Sequence, residues 1–326
     1  MRIGQNPAKS IKDVAQPQKI TVAVLTYIPF LSGYYAETLD VLKLCLGSIW
    51  ENTDLQYDLL VFDNGSCQEA QEYLNEGYRA GRIQYLILSD KNLGKGGAWN
   101  IIFSGAPGEI IAYTDSDALF YPGWLSRSVE ILQAFPKVGM VTARPFRMRE
   151  DKNMATMKWA EETPEVLLEK GQFLSWEDFS SFVRSLGYSE EQTRQWYESS
   201  QDMRVTYKGV SAMIGASHWQ FAAYKSVLSQ FLPFSMDRPM GQVKQLDERM
   251  DASGYLRLMP TDPLAQNMSN TVPAGVIPRP SGKKSGQKAP GSPKATGSLA
   301  RRIFNVSPVK KVMLKVYDSI FRLYYA

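Results

Sequence analysis

Short apolar segments alternate with helix-length segments through the first half of the chain. Residues 19–26, 58–62 and 109–114 have the length and the β-branched composition of buried strands. Residues 36–51 and 67–80 read as helices between them. The other elements predicted in this half are a strand at 82–88, a helix at 122–135 and a strand at 138–142. This alternation predicts an α/β fold with an open, twisted, mostly parallel sheet flanked by helices.

The strand predicted at 109–114 leads directly into two acids, Asp115 and Asp117. Residues i and i+2 of an extended chain lie on the same side. The carboxyl ends of such strands face the crevice where open α/β sheets bind ligands. Two hard oxygen donors at this spacing suit one Mg²⁺ or Mn²⁺, which would neutralise a diphosphate. The alternative is an Asx-type turn that caps the next helix.

The glycines are in the wrong place for the common nucleotide-binding loops. Gly94, Gly96 and Gly97 follow the third predicted strand, whereas dinucleotide and P-loop signatures follow the first. The first strand is followed by the segment Tyr27-Ile28-Pro29-Phe30. A dehydrogenase and a P-loop NTPase are therefore disfavoured. A nucleotidyltransferase is disfavoured too, because its glycine-rich basic phosphate loop would stand at this same point.

The composition is typical of a cytoplasmic globular protein. The chain has 326 residues, of which 44% are hydrophobic and 21% are charged. Cys45 and Cys67 match no metal or redox spacing, so reduced thiols are expected. The first residues do not resemble a signal peptide, and no window has the ~18 apolar residues of a membrane span.

Four motifs occur in a characteristic order. Thr26-Tyr27 ends the first strand, residues 61–66 (VFDNGS) end the second, Asn92-Leu93-Gly94 precedes a helix, and Asp115-Ser116-Asp117 follows. In order, spacing and placement at strand ends, these motifs resemble the family 2 glycosyltransferases of GT-A fold. The resemblance covers residues 20–147 well and 205–270 less closely.

The resemblance implies a nucleotide-sugar donor, UDP-linked, bound across these strand ends. Asp63 would hydrogen-bond the base, Asp115 would lie near the ribose, and Asp117 would hold the divalent metal, with Asp115 as the second candidate ligand. The donor-binding residues implied are Thr26, Tyr27, Asp63, Asn64, Asn92, Gly94, Asp115, Ser116 and Asp117. For Asp63, a plain turn residue is an equal alternative. Lys95 is expected to be a solvated surface lysine rather than a phosphate contact.

The second half is predicted to form the acceptor side. Residues 143–204 hold a helical insertion with Trp159, Trp176 and Trp196, for which structural packing is expected. The arginines of this segment are expected to form a surface cluster, namely Arg144, Arg147 and Arg149. The apolar residues 205–216 predict a strand that leads into His218 and Trp219, both placed on the acceptor side. A lone histidine is more often structural than functional.

The expected general base is missing from its usual position. Inverting members of the resembled family place it in an acidic pair, and Gln242 and Val243 occupy those positions here. Asp247 is our candidate base, with Asp237 and Glu248 as the other nearby acids and a solvated helix face as the alternative. A second departure is Asn267, which stands where many members have a histidine that binds the metal.

The tail is basic. Residues 273–300 are rich in Pro, Gly, Ser and Lys, as in a flexible linker, and residues 301–326 have the periodicity of an amphipathic helix. From Arg279 onward there are eleven Lys or Arg residues against one acid, Asp318. This favours contact with an anionic membrane surface. The alternatives are packing on the catalytic domain or dimerisation, and nucleic-acid binding is not expected.

Two functions follow from these predictions. The first is a cytoplasmic glycosyltransferase, peripheral at the inner face of the membrane, that inverts and uses Mn²⁺ or Mg²⁺. It would transfer a sugar to a hydroxyl of a cell-envelope glycan or a lipid-linked acceptor. The second is a non-catalytic protein that binds a nucleotide-sugar and is tethered to a membrane or complex. The predicted regions are a lead-in at 1–19, a donor half at 20–147, an acceptor half at 148–272, a linker at 273–300 and a helix at 301–326.

Overall fold

A ten-stranded mixed sheet forms the centre of the computed structural model, which describes residues 13–238 and 243–273. In chain order the strands are β1 (Ile20–Thr26), β2 (Asp58–Asp63), β3 (Tyr85–Leu88), β4 (Ile110–Asp115), β5 (Ala118–Phe120), β6 (Val138–Val141), β7 (Leu167–Gly171), β8 (Asp202–Tyr207), β9 (Val210–Ile214), β10 (Gln220–Tyr224), β11 (Leu256–Met259) and β12 (Ala265–Asn267). The spatial order is β3-β2-β1-β4-β10-β6-β11-β9-β8-β7, and β12 pairs with β5 in a small second sheet.

The helices in the described residues are α1 (Thr38–Asn52), α2 (Gln68–Arg79), α3 (Gly94–Gly105), α4 (Trp124–Ala134), α5 (Met154–Glu162), α6 (Trp176–Ser185), α7 (Glu190–Ser199), α8 (Lys225–Leu228) and α9 (Val243–Ala252). The helices predicted at 36–51, 67–80 and 122–135 correspond to α1, α2 and α4. The strand predicted at 82–88 begins only at Tyr85. Its first residues instead close the end of α2, because the Arg82 and Ile83 N–H groups donate to the Gly77 carbonyl.

Strands β3, β2, β1 and β4 are all parallel, and the predicted α/β class is confirmed. The two faces of this half are both covered. Val22 and Val24 pack in the same cluster as Leu42 and Leu46 of α1. Alternate residues of β1 pack in a second cluster with α3. Burial on both faces explains why these strands are continuously apolar rather than alternating.

Strand β10 lies antiparallel between β4 and β6, and it joins the parallel half to the rest of the sheet. The single strand predicted at 205–216 is wrong, since these residues form parts of β8 and β9, which pair as a hairpin. Lys208 and Gly209 make the turn, with φ of 48° and 80°. Glycine adopts this left-handed region without a Cβ clash, so it marks the turn.

The segment predicted as an insertion, residues 143–204, contains α5, β7, α6, α7 and the start of β8, and buried arginines hold it in place. The prediction of a surface cluster is wrong for Arg144 and Arg147, which are 3% and 5% exposed. The Arg147 guanidinium pairs with Asp202 at 2.8 Å and donates to the carbonyls of Tyr197 and Ser200. Burial is possible because these acceptors satisfy the charge and the N–H donors.

Aromatic contacts complete this region. Trp159 packs against Phe135 and Tyr207, and Trp176 and Trp196 pack against other rings of the insertion. None of the helices within residues 13–238 and 243–273 has the length and apolar composition needed to cross a bilayer. The predicted linker beyond residue 273 and the predicted helix at 301–326 lie outside the described residues.

Replacing Arg147 tests the contribution of the buried Arg147–Asp202 ion pair to stability. Arg147→Ala leaves the fully buried Asp202 carboxylate without its cation, so we expect the free energy of unfolding to fall by about 3–5 kcal/mol. Arg149→Ala is the control, because the Arg149–Asp151 pair is exposed and its loss should cost less than ~0.5 kcal/mol. Urea unfolding measures both, and equal losses would contradict the structural role of Arg147.

Candidate active site

The carboxyl ends of three parallel strands meet at one edge of the sheet. Thr26 pairs with Asp63 across β1 and β2, and Leu25 pairs with Asp115 across β1 and β4. Thr26 is buried and its Oγ1 has no partner within the described residues, whereas Tyr27 beside it is 36% exposed. The residues predicted at the first strand end therefore lie beside both acidic motifs.

Asp63 ends β2 and is fully buried. Its carboxylate accepts the Ser66 N–H at 3.2 and 3.3 Å and the Gln71 side-chain amide at 3.0 Å. The turn role predicted as an alternative is therefore present. Gln71 was not predicted; it lies one helical turn into α2, facing the strand end.

The turn after β2 is locked to the start of α3. The Asn64 side chain accepts the Leu93 N–H and donates to Asn92 Oδ1, both at 2.9 Å. Asn92 Oδ1 also accepts the Gly94 N–H at 2.8 Å. Gly65 has φ of 89°, and a Cβ there would lie 2.9 Å from the Lys91 carbonyl carbon. The predicted residues Asn64, Asn92 and Gly94 thus form one network, and glycine is required where the two loops meet.

Lys95 is buried, so the prediction of a solvated lysine is wrong. It is 7% exposed, and its Nζ lies 2.6 Å from Asp115 Oδ2. The ammonium also lies 5.4 Å from the Trp99 ring centre and 5.6 Å from that of Tyr113. Side chains in the first turn of a helix lean toward its N-terminus, which carries Lys95 over the strand ends. Helical periodicity alone does not reveal this direction in a glycine-rich segment.

The second oxygen of Asp115 is also engaged. The Tyr113 hydroxyl donates to Asp115 Oδ1 at 2.5 Å. Burial, and then the Asp115 charge, raise the pKa of Tyr113 well above its ordinary value, so the hydroxyl keeps its proton. Tyr113 was not predicted as a site residue. The signal was available, because it stands two residues before Asp115 and on the same face of the strand.

Asp117 has an oxygen without a partner. Its Oδ1 is buried and accepts no hydrogen bond from any described residue, and Ser116 beside it is half-buried. Burial, and then the negative charge of Asp115, raise the pKa of Asp117 to about 7. The Lys95 charge and a hydrogen bond from the Asn267 side chain act in the opposite direction.

The fit to a divalent cation rests mainly on Asp117. Among the described residues, no three His, Cys, Asp or Glu side chains cluster as metal ligands. Asp115 has Lys95 and Tyr113 on its oxygens, and Asn267 Oδ1 accepts the Ser269 N–H at 2.8 Å. The unpartnered Asp117 oxygen is the hard donor that Mg²⁺ or Mn²⁺ prefers. The residues present fit a divalent cation bound through Asp117, with its remaining ligands supplied from outside the described residues.

A tight turn at residues 217–220 leads into β10 and places His218 and Trp219 next to this edge. The Asp115 N–H donates to the Trp219 carbonyl at 2.9 Å. The Trp219 ring is 9% exposed and lies 6.3 Å from the Phe182 ring, so it packs inward. His218 keeps 21% of its side chain exposed.

His218 contacts Asp247. Its Nδ1 lies 3.0 Å from Asp247 Oδ2, and the Arg257 guanidinium lies 3.6 Å from the same oxygen. Asp237 and Glu248, the other candidate acids, are exposed. Arg257 was missed, although a charged residue inside the apolar strand Leu256–Met259 is a signal of a buried partner. Gln242 lies outside the described residues.

A family model for glycosyl transferase family 2 matches residues 33–211, which is more than half of the chain. The chain belongs to glycosyl transferase family 2. An uncharacterized glycosyltransferase of Nostoc sp. (strain PCC 7120) is 27% identical over 100 residues, which are 31% of each chain. The match thus spans about a third of that relative.

Solved structures are similar over part of their length. The mannosyltransferase PcManGT from Pyrobaculum calidifontis has 18% identity and a TM-score of 0.47, and the match covers 80% of this chain and 59% of that one. S. aureus TarS 1–349 has 12% identity and a TM-score of 0.43, with 75% and 58% covered.

The buried Asp117 carboxyl makes the free energy of unfolding depend on pH, with a sign that its raised pKa determines. A raised pKa in the folded state means that stability from this group is present at low pH and is lost as pH rises through about 7. Asp117→Asn replaces the protonated acid by an uncharged isostere. Because the penalty of the buried carboxylate accumulates between the ordinary aspartate pKa and the raised value, we expect Asp117→Asn to raise the free energy of unfolding of the metal-free protein by roughly 1–3 kcal/mol more above pH 8 than near pH 5.

Urea unfolding at the two pH values measures this difference, with Asp151→Asn at an exposed position as the control. A gain that is equal at both pH values would argue against a buried, titrating Asp117.

Proposed function

We propose that the protein is a glycosyltransferase that uses a nucleotide-diphosphate sugar, UDP-linked, and passes the sugar to a hydroxyl acceptor with inversion. The observation that carries the proposal is the meeting of Asp63, Asp115 and Asp117 at one sheet edge. One of these acids, Asp117, has a buried oxygen without a partner in the part of the chain that the structure describes. Family membership supports the same reaction class.

The base and ribose are assigned to the edge formed by β1, β2 and β4. Thr26, Tyr27 and the Asp63–Asn64 turn would line the base, and the Asn92–Gly94 loop would close over it. The hydrogen bonds between Asn64, Asn92 and Leu93 support this assignment, because they hold the loops in place before a ligand arrives. A preformed pocket loses less conformational entropy on binding.

The diphosphate is assigned to the end of β4. Asp117 would hold Mn²⁺ or Mg²⁺, which when bound stabilises the negative charge of the leaving nucleoside diphosphate. Asp115 and Ser116 would face the ribose. Lys95 neutralises Asp115 at 2.6 Å, which lowers the repulsion between this edge and an anionic donor.

Proton removal from the acceptor is assigned to the region of Asp247, beside His218 and Trp219. The contact between Asp247 and His218 supports this, since it brings a carboxylate to the side of the edge where β10 begins. The acceptor class that we propose is a cell-envelope glycan or a lipid-linked precursor. On sequence alone, the basic residues 301–326 would bring the protein to the inner face of an anionic membrane.

The second candidate is a non-catalytic protein that binds a nucleotide-sugar. Gln242 and Val243 favour it, because neither side chain accepts a proton at the positions where the family places its acidic pair. Its donor site would be the same as that of the enzyme. Turnover, rather than binding, therefore distinguishes the two functions.

Calorimetric titration with UDP and GDP, each with and without Mn²⁺, tests the donor site. These are the nucleotides of the similar proteins solved with UDP and with GDP-mannose. We expect Mn²⁺ to strengthen the binding of UDP at least tenfold, about 1.4 kcal/mol. Asp117→Ala should abolish the Mn²⁺ effect, because it removes the unpartnered oxygen.

Asp151→Ala, at an exposed acid of the insertion, is the matched control and should bind as the wild type does. Binding of UDP that is unchanged by Mn²⁺ and by Asp117→Ala would overturn the metal assignment. Failure of both nucleotides to bind would overturn the proposed function.

A further inference from the structure

We propose that His218 and Asp247 form a catalytic dyad in which His218 Nε2 takes the proton of the acceptor hydroxyl and Asp247 orients the ring. The inference rests on the proposed transferase function and gives its site a base. It assigns a chemical role to the contact of 3.0 Å between His218 Nδ1 and Asp247 Oδ2.

Asp247 is poorly placed to meet an acceptor by itself. Its Oδ1 is buried and has no partner among the described residues. Its Oδ2 is engaged by His218 and lies 3.6 Å from the Arg257 guanidinium. One carboxylate oxygen of Asp247 is therefore buried, and the other is already engaged by His218.

His218 keeps more of its side chain exposed than Asp247 does. Its side chain is 21% exposed, against 16% for Asp247. The ring lies 6.5 Å from the Trp99 ring in an edge-on arrangement, and Trp99 lies under the Lys95 ammonium that pairs with Asp115. One aromatic ring thus separates His218 from the ion pair at the donor edge.

The turn at residues 217–220 anchors His218 to that edge. The carbonyl of the next residue, Trp219, accepts the Asp115 N–H at 2.9 Å. Displacement of His218 would therefore require a change next to the acids proposed to face the donor. This backbone contact gives the histidine a defined position relative to the donor.

The chemistry of the pair selects a tautomer. An ionised carboxylate only accepts hydrogen bonds, so the neutral ring donates Nδ1–H to Asp247. The lone pair on Nε2 is then free, and no described residue hydrogen-bonds to Nε2. A carboxylate that fixes the tautomer and stabilises the imidazolium is an established way to make histidine an effective base.

The step balances without another reactant. The acceptor oxygen forms the bond to the anomeric carbon while its proton passes to His218 Nε2. The bond from the anomeric carbon to the phosphate oxygen breaks, and its electron pair leaves with the nucleoside diphosphate. The imidazolium is stabilised by the Asp247 charge, and it returns its proton to solvent after the product leaves.

The position of Asp247 on α9 also fits. Val243, at one of the positions where the acidic pair is expected, lies one helical turn before Asp247. Val243 cannot act as a base. In the proposed dyad, Asp247, one helical turn later, supplies a carboxylate that acts through His218.

The charged and titratable groups around the ring come from four elements. Asp247 on α9 contacts the ring and Arg257 on β11 contacts Asp247, whereas Lys95 on α3 and Tyr113 and Asp115 on β4 are connected to the ring through Trp99. Arg257 is held in place by the carbonyls of Ala216 and Lys152. Arg257 pairs with Asp247 and Lys95 pairs with Asp115, and Asp247 is the direct partner of the ring.

The chain contains a single histidine, which makes an NMR test unambiguous. Imidazole ¹⁵N spectra of the full-length protein should show the Nδ1–H tautomer at high pH, with Nε2 unprotonated. Asp247→Asn should shift the ring toward the Nε2–H tautomer, and Glu248→Gln, at the next and exposed residue, should leave the spectrum unchanged. An Nε2–H ring in the wild type overturns the proposal.

Kinetics test the role of the base directly, with hydrolysis of UDP-glucose, UDP-GlcNAc or GDP-mannose as the probe reaction. Where water replaces the acceptor, His218→Gln should lower kcat at least ~100-fold and leave KM within about twofold. The kcat of the wild type should fall at acid pH, whereas the residual kcat of His218→Gln should not show this fall. Added imidazole should partly rescue His218→Ala. Hydrolysis by His218→Gln at the wild-type rate overturns the proposal.

Nucleotide binding distinguishes failure of the His218–Asp247 dyad from failure of the proposed function. UDP affinity within about twofold of the wild type in His218→Gln, together with lost hydrolysis, supports the dyad. Binding with an Nε2–H histidine overturns the dyad and leaves the donor site standing. Absence of nucleotide binding in the wild type overturns the proposed function itself.

Discussion

The ion pair of Lys95 and Asp115 is the interaction on which the arrangement of this sheet edge depends. Three acids lie at the ends of β2 and β4, where a nearby apolar core makes isolated negative charge costly. Lys95 compensates Asp115 directly and reduces the charge felt by Asp117. The same contact seats the first turn of α3 against the strand ends, with Trp99 beneath the ammonium. The charge of Asp115 and the packing of α3 against the strand ends therefore depend on the same Lys95 side chain.

Strand β10 connects this sheet edge to the other half of the sheet. It lies antiparallel beside β4, and its turn accepts a hydrogen bond from the backbone of Asp115. The turn also carries His218, whose ring contacts Asp247 of α9 and, through it, Arg257 of β11. Polar contacts thus connect β4, the turn before β10, α9 and β11. A shift of α9 would therefore be transmitted to Asp115 through these contacts.

The predictable features and the unpredictable ones have different physical origins. The parallel strands of the first half were evident because burial on both faces imposes continuous apolar runs. The strands at 205–216 were merged, because a hairpin turn of Lys208 and Gly209 interrupts the apolar pattern only briefly. Lys95, Arg144 and Arg147 were placed at the surface because charged residues usually lie there. Their burial depends on acceptors that come from distant segments, such as Asp115 for Lys95 and Asp202 for Arg147.

The sequence by itself determined the α/β class, the family resemblance and the placement of acids at strand ends, because these follow from local periodicity and from motifs of a few residues. Only the tertiary structure decided which oxygens of those acids are engaged and which one has no partner among residues 13–238 and 243–273. It also brought His218, Asp247 and Arg257 together from a turn, a helix and a strand. Side-chain direction and long-range pairing decide such contacts, and neither is encoded within a single segment of the chain.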